Sequence, residues 1–511
     1  MNQLKKGAFL SYLSIFITII VALIYTPIVI RLLGQAEYGL YSLIGSIAAY
    51  LSIMDLGLGN AVVRYNARNR AIGDKRAEAR LNGVFLLFYS VLGILTVLIG
   101  IILYNSIEDI FGNSLTLLEI EKAQLMILIL VLNFAFSFPL AIFNSIMQAY
   151  ERFVVLKVFV IVRTLLTPLV TLPLLLMGYA SVTMVLITSI VNIACLLFNV
   201  YYCFKYLKIS LNFGKIDFSL LKEIIIYSMF IFLGIVVDQI NWNTGQLILG
   251  VFSGTAAVAV FAIAIQFIRI YLLFSTSISG LLLPRISIMV ANNASSEELT
   301  AIMIKFGRIQ YVIMGFLLSG FFLYGKEFIG LWAGSEYIKS YYMILIIMIP
   351  ITIPLIQNTG LSILQAKNLM GFRSLVLIVI GLINVLISIP LAILYEGIGV
   401  AMGTGISYLI GNIIIMNIYY HKKININIPL FWNNIIMMSI PMLAALSIGY
   451  GINYLLTTNS ILHLFIKICL FTILYLLLMW FFGFNGYERN LLSSYTRRLG
   501  NPKKFVGKKV K

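Results

Sequence analysis

The sequence predicts an all-α polytopic membrane protein of about fourteen transmembrane helices, and three observations predict it. The first is composition: of 511 residues, 61% are hydrophobic and 11% charged, with a mean hydropathy of +1.02. A soluble domain carries about 25% charged residues, so water cannot be the main solvent and a soluble globular enzyme is excluded. So much apolar surface also excludes a disordered chain. The second observation is that apolar runs long enough to cross a hydrocarbon core of about 30 Å recur along the chain. The third is that the pattern of these runs repeats.

In order, the runs fall at 8–30, 38–59, 81–104, 123–145, 155–177, 180–204, 222–244, 255–281, 308–325, 341–364, 374–395, 397–420, 431–454 and 461–484. The first follows Lys5 and Lys6 but is about twice as long as the apolar core of a signal peptide, so it is expected to stay as a span. The second closes on Asp55-Leu-Gly-Leu-Gly59, a turn sequence. Arg64, Arg68, Arg70, Lys75, Arg76 and Arg80 separate the second run from the third, Arg152 and Lys157 open the fifth, and Lys205, Lys208, Lys215 and Lys222 follow the sixth. Arg285, Lys305 and Arg308 precede the ninth, Lys367 and Arg373 the eleventh, and Lys422 and Lys423 follow the twelfth. Only Glu396 parts the eleventh run from the twelfth.

Basic residues stay on the cytoplasmic side. With the amino terminus inside, the basic clusters all fall inside. The outside loops hold few lysines and arginines against Glu37, Glu108, Asp109, Glu119, Glu121, Glu327, Glu336 and Glu396. The bias predicts an even number of spans with both termini cytoplasmic. It also explains the net charge of +18 as topology, so no nucleic-acid partner is expected. The basic tail, 487–511, is read as solvated or touching anionic headgroups. Cys195, Cys203 and Cys469 lie in apolar runs, and His421 and His463 are far apart, so neither a metal nor another cofactor is expected.

The repeat has an offset of about 217 to 220 residues. Gly34-Gln-Ala-Glu-Tyr-Gly-Leu-Tyr41 aligns with Gly254-Thr-Ala-Ala-Val-Ala-Val-Phe261, and Ser145-Ile-Met-Gln-Ala149 with Ser362-Ile-Leu-Gln-Ala366. Pro173-Leu174 meets Pro390-Leu391, and Asn199-Val-Tyr-Tyr202 meets Asn417-Ile-Tyr-Tyr420. Six spans per copy make a parallel repeat, as in one class of secondary transporters. The expected organisation is two six-helix lobes, 1–210 and 211–428, around a central cavity, then two extra helices at 429–486 and the tail.

Leu32-Leu-Gly-Gln-Ala-Glu-Tyr-Gly-Leu-Tyr41, Met54-Asp-Leu-Gly-Leu-Gly-Asn60 and the later Gln148-Ala149 resemble the oligosaccharide flippases of bacterial polysaccharide export. These belong to the multidrug/oligosaccharidyl-lipid/polysaccharide exporter superfamily. The resemblance implies a flippase of the bacterial plasma (inner) membrane that carries an undecaprenyl-diphosphate-linked oligosaccharide from the inner to the outer leaflet by alternating access. The glycan would serve a surface polysaccharide such as O-antigen or capsule, with a polymerase as a further partner. It also implies a basic residue in the eighth span and a groove for the prenyl tail near the last two helices.

Ionisable groups at membrane depth are functional candidates. Arg269 shares a face of the eighth span with Ala259, Ala262, Gln266, Thr276 and Gly280; its guanidinium suits a diphosphate or an internal ion pair. Asp238, in the seventh span, can take up a proton or sodium ion, or pair with an arginine. Asn241 and Asn243 beside it are candidate ligands for sugar hydroxyls. Arg163 either reaches back to the interface or first meets the diphosphate. Asp55 is read as a turn former, pairing with Arg64, or as a gate contact; Lys467 is expected to snorkel outward. The proposed cavity lies between the first, second, seventh and eighth spans, with Arg269 and Asp238 facing it.

Three alternatives stay open: an ion-coupled multidrug exporter, a lipid II flippase, and a membrane polymerase or glycosyltransferase. Against the last, no glycine-rich phosphate loop or Ser/His/Asp set is present and the outside loops are short.

Overall fold

The computed structural model describes residues 3–214, 218–279, 282–456, 460–490 and 493. Among them every regular element is helical, as lipid requires: a span must satisfy its backbone polar groups within itself or in a closed barrel. The helices are α1 (Gln3–Leu33), α2 (Gln35–Leu51), α3 (Leu58–Ile72), α4 (Lys75–Phe111), α5 (Leu117–Ala149), α6 (Phe153–Leu176), α7 (Ser181–Tyr202), α8 (Phe218–Phe252) and α9 (Gly254–Ser279). Then follow α10 (Leu283–Ala291), α11 (Ser296–Trp332), α12 (Lys339–Ile356), α13 (Asn358–Ala366), α14 (Met370–Tyr408), α15 (Met416–Lys422), α16 (Ile428–Leu455) and α17 (Ile461–Leu478).

Thirteen described helical stretches are long and apolar enough to cross a membrane. One of them, Met370–Lys422, runs for 53 residues and contains two of the expected spans. Glu396 divides it at φ 51°, ψ −133°, which no right-handed helix can contain. The two limbs then fold against each other. A Cβ on Gly399 would strike the Leu391 carbonyl, and one on Gly403 would meet Ser388, so glycine sets how closely the limbs approach. Counting these limbs separately, fourteen spans fit the structure.

By packing, the chain forms two compact units: Met1–Ile265 with Gly381–Thr404, and Gln266–Ile380 with Gly405–Lys511. These boundaries follow packing; those of the proposed lobes, 1–210 and 211–428, follow the repeat register. Of the proposed tail, 487–511, only 487–490 and 493 are among the described residues, and Lys215 and Gly280 lie outside them as well.

In the first unit α4 packs along α5, α5 along α7, α1 along α6 and α2 along α8. At one end Phe85, Tyr89, Ile142, Ile146 and Cys203 form a core on which the apolar side of α3, Ala61, Val62 and Tyr65, is buried. Arg64 and Arg68 on the same helix are exposed. The α5 amino terminus is fixed by a capping box of Thr116 and Glu119, which satisfies two otherwise unpaired backbone donors.

In the second unit α11 runs for 37 residues, about 55 Å, and carries α12, α16 and α17. Two charge clusters, one buried and one half-buried at its carboxylate, pin α16 and α17 to it. Arg308 donates Nε and Nη2 to Glu488 at 2.6 and 2.9 Å, Nη1 to the Asn434 carbonyl and Nη2 to the Gly483 carbonyl. Lys467 donates to Glu327 at 3.3 Å and to Asn453 at 2.6 Å. Both findings revise the sequence reading. Lys467 does not snorkel but is 1% exposed, because Glu327 and Asn453 supply the partners it would otherwise seek in water. Arg308 leaves the solvated loop cations for the same reason.

Candidate functional site

Tyr41, Gly45 and Ala48 on α2, with Ser52 and Asp55 in the 3-10 turn Ser52–Asp55 that continues it, follow steps of three and four, so the helical path places these residues in one row. Opposite them in the first unit stand Asn133 and Ser137 on α5, Arg163 on α6, and Thr188, Ser189 and Asn192 on α7. Together they line a cavity of about 490 Å³. Arg163 donates Nη1 to Asn192 Oδ1 at 2.8 Å. Asn192 in turn donates to Ser137 Oγ at 2.8 Å and Asn133 Oδ1 at 3.1 Å. A guanidinium has five N–H donors, and Asn192 takes one of them. The chain of amides therefore aims Arg163 along the cavity wall and leaves it donors for an anion.

Asp55 is half-buried and accepts from the Tyr89 hydroxyl at 2.7 Å and from the backbone of Gly57 and Gly59. Gly57 sits at φ 72° and Leu56 at φ 53°. Asp55 is thus a turn former, as its sequence context indicates, and it also borders the cavity. Arg64 lies over the Tyr227 ring at 4.6 Å instead.

Other candidates stand elsewhere. Asp238 is exposed on α8. Asn241 and Asn243 are buried; the first donates to the Val237 carbonyl at 3.0 Å, and the second to Gln239 on its own helix. Near Asn241 lies Gly381, and Asn384, one turn on, accepts from Ser388 at 2.9 Å and Thr404 at 3.3 Å. Sequence reasoning missed these three polar residues because each stands singly in an apolar run. Gln266 and Arg269 follow one another by a turn on α9 in the second unit, half-buried and exposed respectively. The structure brings Arg163 and Asp55 to one cavity, while Asp238, Asn241 and Asn243 share α8. Among the described residues no group of three or more His, Cys, Asp or Glu is placed to hold a metal ion.

The motif Gln148-Ala149 gains a physical meaning. The Ala149 carbonyl accepts from Arg70 at 3.0 Å, and the same guanidinium lies 4.3 Å over the Tyr150 ring. The Tyr150 hydroxyl donates to buried Glu78 at 2.6 Å. Burial and the Glu78 carboxylate push that hydroxyl up to about 12. Stability from this raised group is full below about pH 10, the value of a free tyrosine, and is lost as pH rises through about 12. Thermal unfolding followed from pH 8 to 12 should show that loss. Tyr150→Phe should flatten it and cost about 1–3 kcal/mol at neutral pH by leaving Glu78 short of a donor.

The apolar helical stretches define a multi-pass integral membrane protein. Its structure is similar to the lipid II flippase MurJ in an inward closed conformation, with TM-score 0.70 and 17% identity over 96% of this chain and 99% of that one. It is also similar to an inward-facing multidrug resistance MATE family transporter of the MOP superfamily (TM-score 0.57, 15% identity, 74% and 92% covered). A MOP superfamily transporter from Pyrococcus furiosus gives 0.55, 14%, 83% and 97%. These likenesses bear out the expected fold. The chain belongs to the polysaccharide biosynthesis protein family, which matches residues 4–290, more than half its length. No curated protein matches by sequence.

Proposed function

We propose that this protein is a flippase that carries an undecaprenyl-diphosphate-linked oligosaccharide from the inner to the outer leaflet of a bacterial plasma membrane, for surface polysaccharide synthesis. The observation that carries the reading is Arg163, held by Asn192 in a cavity where amides and hydroxyls alternate with apolar side chains such as Leu130, Phe134, Phe138 and Val185. Guanidinium donors pair with phosphate oxygens, and neutral amides and hydroxyls match sugar hydroxyls. A volume of about 490 Å³ lies within the range of small-molecule sites, enough for a diphosphate and the sugars next to it. Membership of a polysaccharide biosynthesis family supports the glycan, and likeness to a lipid II flippase supports the lipid carrier.

On this reading Arg163 meets the diphosphate as it leaves the inner leaflet, and Arg269 with Gln266 takes it further during alternating access. Asp238 takes up a proton or sodium ion to couple the cycle. Both termini lie in the cytoplasm, as the basic loops indicate, and a polysaccharide polymerase receives the product. The chain itself makes or breaks no covalent bond.

Arg163→Ala and Arg269→Ala should each lower surface glycan at least tenfold with unchanged membrane insertion, and Arg163→Lys should lose less. Full complementation by both alanine variants would overturn the assignment. A second reading within the fold is a lipid II flippase, favoured over a drug exporter by the match to MurJ across 96% of the chain. Rescue of cells depleted of their own lipid II flippase would select it.

A further inference from the structure

A groove of different character lies where the stretch Met370–Lys422 ends. Phe372 of α14 stacks on Tyr419 of α15, ring centroids 4.1 Å apart and planes 13° from parallel. Beside this stack Ile415, Ile418 and the stems of Lys422 and Lys423 line a concavity of about 230 Å³. Ile418 is 52% exposed, so the wall is apolar and open, a surface suited to hydrocarbon rather than water. The membrane-spanning stretch stops at Lys422, so the two ammonium groups stand at the depth of lipid headgroups. By the basic-loop pattern this is the cytoplasmic side.

The main chain that carries the exposed lysine pair is held in place. The Lys423 N–H donates to the Tyr419 carbonyl at 2.9 Å, and the Ile426 N–H to the Tyr420 carbonyl at 3.0 Å. Ile424 and Ile426 are buried beneath the turn, and no carboxylate is among the residues lining the groove.

We propose that this groove binds one anionic phospholipid, its phosphate on Lys422 and Lys423 and one acyl chain along Ile415, Ile418 and the Phe372–Tyr419 stack. Basic pockets on the cytoplasmic side of membrane helices recognise such headgroups. A zwitterionic lipid would set its own ammonium against the same two lysines, and free phosphate would leave the apolar wall uncovered.

The test uses the purified full chain in detergent, with phosphatidylglycerol or phosphatidylcholine added and retained lipid counted by native mass spectrometry. The wild type should keep one phosphatidylglycerol under conditions that strip phosphatidylcholine. The double substitution Lys422→Gln, Lys423→Gln should weaken that retention about tenfold or more, whereas the double arginine variant should keep it. Ile415→Trp, which fills the groove with both lysines intact, should also lose it. The basic tail is unchanged in every arm, so lipid bound there stays constant. Three outcomes would overturn the proposal: undiminished retention by the double glutamine variant, equal retention of phosphatidylcholine, or displacement of phosphatidylglycerol by millimolar inorganic phosphate.

Discussion

Replacing Arg308 with alanine is expected to destabilise the protein by about 3–5 kcal/mol, the range for breaking a buried ion pair from one side. Arg308 and Glu488 are 6% and 4% exposed, and Glu488 also accepts the Asn485 N–H at 2.9 Å. Removing the guanidinium leaves the carboxylate buried without its main partner and also frees the Asn434 and Gly483 carbonyls. Because Arg308 stands on α11 and its partners on α16 and the segment after α17, the loss should loosen those helices from α11. Thermal unfolding in detergent should show the drop, with Glu488→Gln losing less. The double change Arg308→Met, Glu488→Leu should recover part of it, since an apolar pair needs no desolvation to be repaid. An unchanged midpoint for Arg308→Ala would mean that the pair is solvated in the protein.

The second large effect is expected at Gly39, within the motif Glu37-Tyr-Gly39. A Cβ there would fall on the carbonyl of Thr255 at the start of α9. This contact belongs to a wider seam in the first unit. Glu37 takes Lys122 and, at 2.5 Å, the Ser181 hydroxyl. Thr255 donates to Glu119 at 2.7 Å, and Ser114 donates to the Gly250 carbonyl at 2.5 Å. Backbone cannot yield as a long side chain does, so Gly39→Val should exceed the usual 1–3 kcal/mol of overpacking and sharply lower the folded yield on size-exclusion chromatography. Thr255→Gly should not rescue it, because the clash is with main chain. Rescue by that change would show that the side chain, and not the carbonyl, sets the spacing.

The spans were legible because lipid imposes one rule on every residue of a run, and hydropathy reports it. Even the hardest boundary, between 374–395 and 397–420, was marked by the single charge Glu396, where the structure breaks the helix. Arg163 was legible as a charge at depth, but its alternatives could not be separated without Asn192, 29 positions away. Asn384, Ser388 and Thr404 gave no signal, since one polar residue in an apolar run reads the same whether it packs, bonds or binds. Lys467 and Arg308 read as ordinary interfacial cations.

The sequence by itself determined that this protein is an all-helical membrane protein with about fourteen spans, and which family motifs it carries. Each of these depends on local composition or on short segments, which fold context does not alter. Only the tertiary structure decided which charges are buried and paired: Lys467 with Glu327 across 140 positions and Arg308 with Glu488 across 180. It alone also gathered Asp55 and Arg163 around one cavity. A charge's partner and solvation are set by whatever packs beside it, and in a helical bundle those neighbours come from distant parts of the chain.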